Sequence, residues 1–232
     1  MQVTEKRYYT VEEYLALEEK ADSKSEYVDG EIIPMAGKSA NHNQIALNFS
    51  TELNFAFKQE NYQVFHSDMR LWIPDERIYT YPHVMVVVGE PEFLENRKDT
   101  ITNPKVIIKV SPKLTENNQR YSIFQACCTI PSFEEYLLIE QDEINILHYS
   151  KIDDKNWSIQ EYDHEDEIIS LVTVPFEITL QDLYNKVKFD TIESEEEEKS
   201  LTKAPSNKYQ DNIKFLNLNQ VFTGEGLLCK NL

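Results

Sequence analysis

Residues 81–88 read YPHVMVVV, and residues 106–111 read VIIKVS. Short runs of apolar and β-branched residues such as these are typical of strands that are covered on both faces of a sheet. Two similar but less apolar runs, residues 62–65 and 70–73, come before them. We therefore expect four consecutive strands here, of which the two quoted segments are central.

The amino-terminal segment predicts a capped helix followed by a hairpin. Thr10 and Glu13 have the spacing of a capping box, in which each side chain binds a free backbone amide of the first helical turn. The helix is expected to end near Lys20. Asp29 and Gly30 then lie between two β-type runs, which favours a tight hairpin because glycine accepts positive φ.

The rest of the chain alternates helical and strand patterns. A second helix is predicted over residues 39–59, because apolar residues recur there at every fourth position. We expect a helix over 115–128, strands over 136–139, 144–149, 157–162 and 168–172, and a closing helix over 179–187. This order predicts an α/β (α+β) fold in which helices flank a mixed sheet.

The chain of 232 residues divides into one domain and a tail. The predicted elements fill residues 8–189, which is an ordinary length for one domain. Residues 190–232 contain the acidic run Glu195–Glu198 and little apolar periodicity. This composition predicts a disordered acidic tail.

Composition limits the classes of function. The formal net charge of −18 argues against a general basic surface for nucleic acid, although bases outnumber acids within residues 97–120. No apolar run is long enough for a membrane span, and the first residues do not resemble a secretory signal. The three cysteines have neither zinc-ligand nor disulfide-framework spacing. We expect a cytoplasmic protein without membrane partners.

Five separated segments resemble one family when they are taken in order. They are YTVEEYLALEE (residues 9–19), EYVDGEIIPMAG (26–37) followed by a helix that contains Asn41 and His42, YPHVMVV (81–87), VIIKVS (106–111) and IPSFEEY (130–136). Over residues 8–187 the chain is similar to the Uma-type restriction endonuclease family of the PD-(D/E)XK nuclease superfamily. The resemblance implies a restriction-endonuclease-like fold.

The resemblance also implies a chemistry that this sequence departs from. In the superfamily, carboxylates hold Mg²⁺, the metal activates water, and a lysine assists phosphodiester hydrolysis. The family pattern has Asp, Glu and Lys where this chain has His83, Lys109 and either Ser122 or Ile123. Only Glu26 keeps a matching carboxylate. We therefore expect the site of a nuclease, formed by His83, Lys109 and Glu26, with impaired catalysis and no bound metal cofactor.

Several alternatives remain open. The protein is an active Mg²⁺-dependent DNA endonuclease if displaced carboxylates such as Glu26, Glu31 and Asp75 hold the metal, or it is a non-catalytic interaction module that works through its acidic tail and long helix. DNA is a candidate partner through the basic strip, and the family resemblance suggests a homodimer. We also expect Lys109 to pair with Glu26, because an unpaired ammonium in a site of low dielectric is costly. His42 is expected to pack near the second helix or to lie at the cleft.

Overall fold

The computed structural model describes residues 7–35, 37–95, 97–112 and 118–189, the side chains of the last range from residue 123 onward. The described helices are α1 (Val11–Glu18), α2 (Ala40–Ala56), α3 (Asn118–Cys127) and α4 (Leu180–Leu183). The strands are β1 (Ser25–Val28), β2 (Glu31–Pro34), β3 (Tyr62–His66), β4 (Arg70–Ile73), β5 (Ile78–Thr80), β6 (Val84–Val88), β7 (Thr100–Ile101), β8 (Val106–Ser111), β9 (Glu135–Glu140), β10 (Ile146–Lys151), β11 (Trp157–Tyr162), β12 (Ile168–Leu171) and β13 (Phe176–Thr179).

The strands form mixed sheets, so the predicted fold class is confirmed. A six-stranded sheet has the order β11-β10-β9-β8-β6-β3, and a five-stranded sheet has the order β2-β1-β5-β4-β7. The strands β12 and β13 form a separate hairpin. In the larger sheet β8 runs parallel to β9 and antiparallel to β6. The two segments predicted as central, β6 and β8, each have a neighbouring strand on both sides.

The core explains why the six-stranded sheet is so apolar. Side chains on α2 pack on one face of this sheet together with Val84 and Val86. The alternate residues Met85 and Val87 contact the other core, which includes side chains of α3 and of β4. Because successive side chains of a strand point to opposite faces, a strand with a core on each side is apolar at every position.

The amino-terminal helix and hairpin follow their local signals. Thr10 and Glu13 form both hydrogen bonds of the capping box at the start of α1. Asp29 and Gly30 both have positive φ, 42° and 98°, as a two-residue hairpin turn requires. A Cβ atom at Gly30 would lie 2.8 Å from the Tyr8 ring. Position 30 therefore needs glycine both for its conformation and for its space.

Replacing Thr10 by Ala should lower the free energy of unfolding by about 1 kcal/mol, because one amide of the first turn loses its side-chain partner. Urea denaturation followed by circular dichroism would measure the change. Thr51→Ala is the matched control, since Thr51 is exposed in the interior of α2 and caps no helix. Equal effects of the two changes would contradict a capping role for Thr10.

Three strands and one helix end differ from the prediction. The strands β5, β7 and β13 were not predicted, because they have two to four residues each and so carry little periodicity. The predicted helix over 179–187 is wrong in length. Thr179 caps it as expected, but α4 ends at Leu183, and Lys186 has a left-handed φ of 65° that no helix continues through. The tail at 190–232 and residues 115–117 of the predicted third helix lie outside the described residues.

A buried carboxylate that the sequence did not single out attaches the β12–β13 hairpin to the large sheet. Glu135 is fully buried at the start of β9, and its Oε1 lies 2.6 Å from Nε2 of His148. The same carboxylate accepts hydrogen bonds from the amides of Val172 and Thr173 in the hairpin. Burial alone would raise the pKa of Glu135, but these partners hold it below its ordinary value.

Among the residues that the structure describes, no helix is long and apolar enough to span a membrane.

Candidate functional site

One cavity lies where α2 begins and where β1, β6 and β8 meet. Its volume is about 390 Å³, within the range of small-ligand sites. The carboxylate, imidazole and ammonium groups on its wall belong to Glu26, Lys38, His42, His83 and Lys109. All three site residues predicted from the sequence, on three separate strand regions, are therefore brought together here. Ile123, at one position proposed for the family lysine, also lines the cavity. The side chain of Ser122 lies outside the described part of the chain.

Glu26 and Lys109 form the predicted ion pair. Nζ of Lys109 lies 2.8 Å from Oε1 of Glu26 and donates a second hydrogen bond of 2.9 Å to the hydroxyl of Thr80. The Thr80 hydroxyl in turn donates to Glu26. Glu26 and Lys109 side chains are only 18% and 16% exposed. No pattern along the chain indicated Thr80, because it lies on β5, a strand of three residues that is too short to show periodicity.

The surroundings keep Glu26 ionised. Burial would raise the pKa of this carboxyl, but the positive charge and hydrogen bond of Lys109, the Thr80 hydroxyl and the Tyr81 amide together hold it below its ordinary value. Glu26 is thus a carboxylate at neutral pH whose negative charge is already matched by an ammonium group. It has less to offer an incoming cation than a free carboxylate would have.

His83 is tied to the backbone of the neighbouring strand. Its Nδ1 accepts a hydrogen bond of 2.6 Å from the Val110 amide, so Nδ1 carries no proton and the neutral ring has its proton on Nε2. Burial first, and then the positive charge of Lys38, lower the pKa of His83 well below its ordinary value. His83 is therefore a neutral hydrogen-bonding residue that fixes the geometry between β6 and β8.

His42 lies at the edge of the same cavity, on the first turn of α2. Its ring meets that of His83 edge to face, with centroids 4.2 Å apart. The residue is 5% exposed, and neither ring nitrogen has a hydrogen-bond partner among the residues described. Burial and then the charge of Lys38 lower the pKa of His42 to about 4. Both roles left open for His42 are compatible with this position.

Lys38 is a site residue that the sequence analysis missed. It precedes Ser39, the residue that caps α2, and lines the cavity. Burial and the positive charges of Lys24 and Lys109 lower the pKa of Lys38 to about 8. The only signal in the sequence was a basic residue just before a helix cap, which is common on protein surfaces.

The residues present do not fit a magnesium site. Mg²⁺ requires several oxygen ligands in near-octahedral geometry. The cavity offers one carboxylate, Glu26, which is paired with Lys109, and an imidazole nitrogen of His83 is a poor ligand for this ion. Within the described ranges, no group of three or more His, Cys, Asp or Glu side chains is arranged to hold a metal ion.

The locally basic strip is largely neutralised in the folded protein. Arg97 pairs with Asp99 and Glu19, and Lys105 pairs with Glu134. Lys109 points into the cavity toward Glu26. Lys113 and the side chain of Arg120 lie outside the described residues. Lys98, which is exposed, is the one described cation of the strip without an ion pair within 4.0 Å, so the described part of the strip presents little free positive charge to a DNA backbone.

The architecture has a counterpart among solved structures. A chain from Anabaena variabilis, described as "a putative nuclease belonging to DUF820", superposes with a TM-score of 0.62 at 20% sequence identity. The match covers 76% of the present chain and 97% of that chain. At this level of identity the comparison shows the fold alone. The protein has a nuclease-like α+β fold.

The sequence then places the chain in a family. The model of the Uma2 family, described as "Putative restriction endonuclease", matches residues 11–182, and the chain belongs to this family. Two relatives come from Synechocystis sp. "Uncharacterized protein sll1609" is 42% identical over 69% of this chain and 91% of its own length. "Uncharacterized protein slr1290" is 31% identical over 77% of this chain and 92% of its own length.

Proposed function

We propose that this protein is a member of the restriction endonuclease-like family that has lost metal-dependent cleavage and acts as a binding module. The observation that carries the proposal is the ion pair between Lys109 and Glu26. An ammonium group lies 2.8 Å from the carboxylate that matches the family pattern. A divalent cation at this place would have to displace the ammonium group or be repelled by it.

The alternative of an active enzyme with displaced carboxylates finds little support in the geometry. Glu31 lies on β2 opposite Val28, and Asp75 is exposed in the turn between β4 and β5. Neither residue is among those that line the cavity. Two further carboxylates would have to enter the site before it resembled the oxygen-rich centre that Mg²⁺ requires. The third alternative, an interaction module that works through the acidic tail, concerns residues outside those described.

We also propose a location and partners for the protein. Cys127 is a free, buried cysteine in the α3 segment. An unpaired thiol is in keeping with a reducing compartment, and we propose that the protein acts in the cytoplasm. The family membership keeps DNA as a candidate ligand of the module, and a homodimer is retained as part of the proposal.

The direct test is to add Mg²⁺ or Mn²⁺ to the purified full chain. We expect no binding heat in calorimetry and no conversion of supercoiled plasmid to nicked or linear forms. A metal-dependent restriction enzyme assayed on the same plasmid, with and without EDTA, controls for the sensitivity of the assay. Metal-dependent cleavage that disappears when Glu26, Glu31 or Asp75 is replaced by Ala would refute the proposal and identify the ligands in use.

A further inference from the structure

The cavity has an excess of positive charge although the whole chain carries −18. Its charged lining residues, within the described chain, are the carboxylate of Glu26 and the ammonium groups of Lys38 and Lys109. Glu26 neutralises Lys109 at 2.8 Å. No ion pair within 4.0 Å is found for Lys38 among the residues described. One partly buried ammonium group therefore faces the cavity without a matching carboxylate in contact.

The amino end of α2 adds to this positive potential. The helix has 17 residues, and its cap Ser39, together with Lys38, lines the cavity. The amides of the first turn of a helix lack helical partners, and the helix dipole favours an anion at this end. The Ser39 hydroxyl accepts a hydrogen bond from the His42 amide only. The remaining free amides of the first turn can donate hydrogen bonds to a bound anion.

The imidazole of His42 is an independent indication that the cavity binds a polar ligand. It is buried at the edge of the cavity, and both ring nitrogens lack a hydrogen-bond partner within the described part of the chain. Buried polar atoms are rarely left without a partner, so each such atom calls for an explanation. A neutral imidazole donates one hydrogen bond and accepts one. A ligand that carries both an oxyanion and a hydroxyl group would match it.

The remaining walls suit an organic body. Ile33, Pro34, Met35, Ile123 and Leu138 all line the cavity. We propose that this cavity binds a small organic phosphate directly, with Lys38 and the amino end of α2 holding the phosphate group and the apolar wall holding the organic part. The inference rests on the proposed function, because it requires that the site work without a metal ion.

Electrostatics favour a small phosphate over a polymer. A chain with a formal net charge of −18 repels a polyanion over a wide area of its surface. A small ligand inside one cavity interacts mainly with the nearby charges, because salt screens the distant ones. Three of the four described cations of the basic strip, Arg97, Lys105 and Lys109, are already paired with carboxylates. We therefore expect a free phosphomonoester to bind more tightly than a DNA phosphodiester.

Binding should depend on pH through Lys38. Its pKa of about 8 means that the free site loses positive charge as the pH rises past 8. Phosphomonoesters have a second pKa of about 6 and are largely dianionic only above pH about 7, so affinity should be greatest between pH about 7 and about 8. The groups that face Lys38 from the surrounding elements are Lys24, Glu26, His42, His66, Asp68, His83 and Lys109. Because burial holds His42 and His83 neutral, they do not titrate in this window.

The test uses the full chain in EDTA at low ionic strength, with inorganic phosphate, adenosine 5′-monophosphate, adenosine and a short DNA duplex as probes in calorimetry. We expect phosphate and the monophosphate to bind, with the monophosphate tighter, and adenosine and the duplex to bind weakly. Lys38→Ala should weaken the binding of both phosphates by about tenfold, the effect of one charge-assisted hydrogen bond. Lys58→Ala is the matched control, because it removes the same charge from an exposed position just beyond the other end of α2.

The Lys38→Arg variant separates direct contact from a structural role. Arginine keeps its charge throughout the range, so this variant should bind phosphate with nearly constant affinity from pH 7 to 9.5. The wild-type affinity should fall about tenfold over the same range, because the charged fraction of Lys38 falls from about 0.9 to about 0.03 while the uncharged site keeps the roughly tenfold weaker binding expected of Lys38→Ala. A lysine that only supported the fold would leave both pH profiles alike.

Each outcome of the calorimetry either supports or overturns the proposed phosphate site. No phosphate binding by the wild type, equal losses in Lys38→Ala and Lys58→Ala, or binding confined to the duplex would overturn the inference. If such failures occur while Mg²⁺ still does not bind, the proposed function stands without this ligand. Phosphate binding that appears only when Mg²⁺ is added would instead refute the proposed function, because the metal would then be part of the site.

Discussion

Replacing Glu26 by Gln is expected to lower the free energy of unfolding by about 2–3 kcal/mol and the melting temperature by roughly 5–10 °C. The change removes the negative charge that lies 2.8 Å from the Lys109 ammonium, in a pair whose side chains are 18% and 16% exposed. Breaking a fully buried pair costs about 3–5 kcal/mol, and the remaining exposure reduces this figure. The Thr80 hydroxyl and the uncharged amide oxygen of the new glutamine would then be the acceptors left to the ammonium.

Two variants control this experiment. Asp154→Asn breaks the pair of Asp154 with Lys151, and because the Asp154 side chain is 95% exposed, stability should change by less than about 0.5 kcal/mol. The double change of Glu26→Gln with Lys109→Met should be more stable than Glu26→Gln alone, because no ammonium is left unpaired. A melting temperature that Glu26→Gln leaves unchanged would show that water satisfies Lys109 and that the pair does not stabilise the fold.

The same pair predicts how stability responds to acid. The folded state holds the pKa of Glu26 below its ordinary value, so the contribution of the pair is complete above the unfolded pKa of about 4.3. It is lost as the pH falls through the lower folded value. The difference in stability between wild type and Glu26→Gln should therefore be constant near neutral pH and should narrow below about pH 4. A difference that grew in acid would contradict this linkage.

The largest change in activity is expected from restoring carboxylates to the site. The triple change of His83→Asp, Lys109→Glu and Ile123→Lys should create Mg²⁺ affinity and at least weak plasmid nicking, where the wild type shows neither. The physical reason is that the fold mainly positions ligands around an ion, and the structure already brings these positions together around one cavity. Calorimetry with Mg²⁺ and conversion of supercoiled plasmid measure the two effects.

The restored site also predicts a stability signature. The glutamate in Lys109→Glu would lie beside Glu26 without a cation, so the two carboxylates should repel each other in EDTA. Added Mg²⁺ should then raise the melting temperature of the triple variant, since a ligand that binds only the folded state stabilises it. The wild type should show no such rise. This readout reports metal binding even when cleavage is too slow to detect.

Two further variants make the restoration decisive. A second triple variant carries Ser122→Lys in place of Ile123→Lys, because the helix register leaves both positions open. The change of His83→Asp with Ile123→Lys, which keeps Lys109, is the matched control and should bind no Mg²⁺. If every restored variant folds and none binds metal, then the cavity differs from a nuclease site by more than these positions, and the proposed binding module gains support.

Local patterns determined most of the elements. The capping box at Thr10, the turn at Asp29 and Gly30, and the apolar repeat of α2 all depend on residues that lie within a few positions of one another. Such signals can be read along the chain because their physical cause is local backbone geometry. The departures from the family pattern at His83 and Lys109 could be read from the sequence, because the motifs around them occur in the family's order. The sequence also predicted that Lys109 would need a carboxylate partner.

The short strands, and the site residues that no local pattern predicted, depend on contacts with residues far away in the sequence. The strand β5 has three residues, too few for a periodic pattern, and forms only because β1 and β4 pair with its two edges. Thr80 enters the site on that strand, and Lys38 reaches it only because α2 begins beside β8. Burial and neighbouring charges, which set the ionisation of Lys38 and His42, are properties of residues far apart in sequence. The sequence by itself determined the family, most of the elements and the departures from the family's metal-ligand pattern. Only the tertiary structure decided that these positions line a cavity with one ammonium group unmatched by a carboxylate among the described residues, because long-range packing alone brings those charges together.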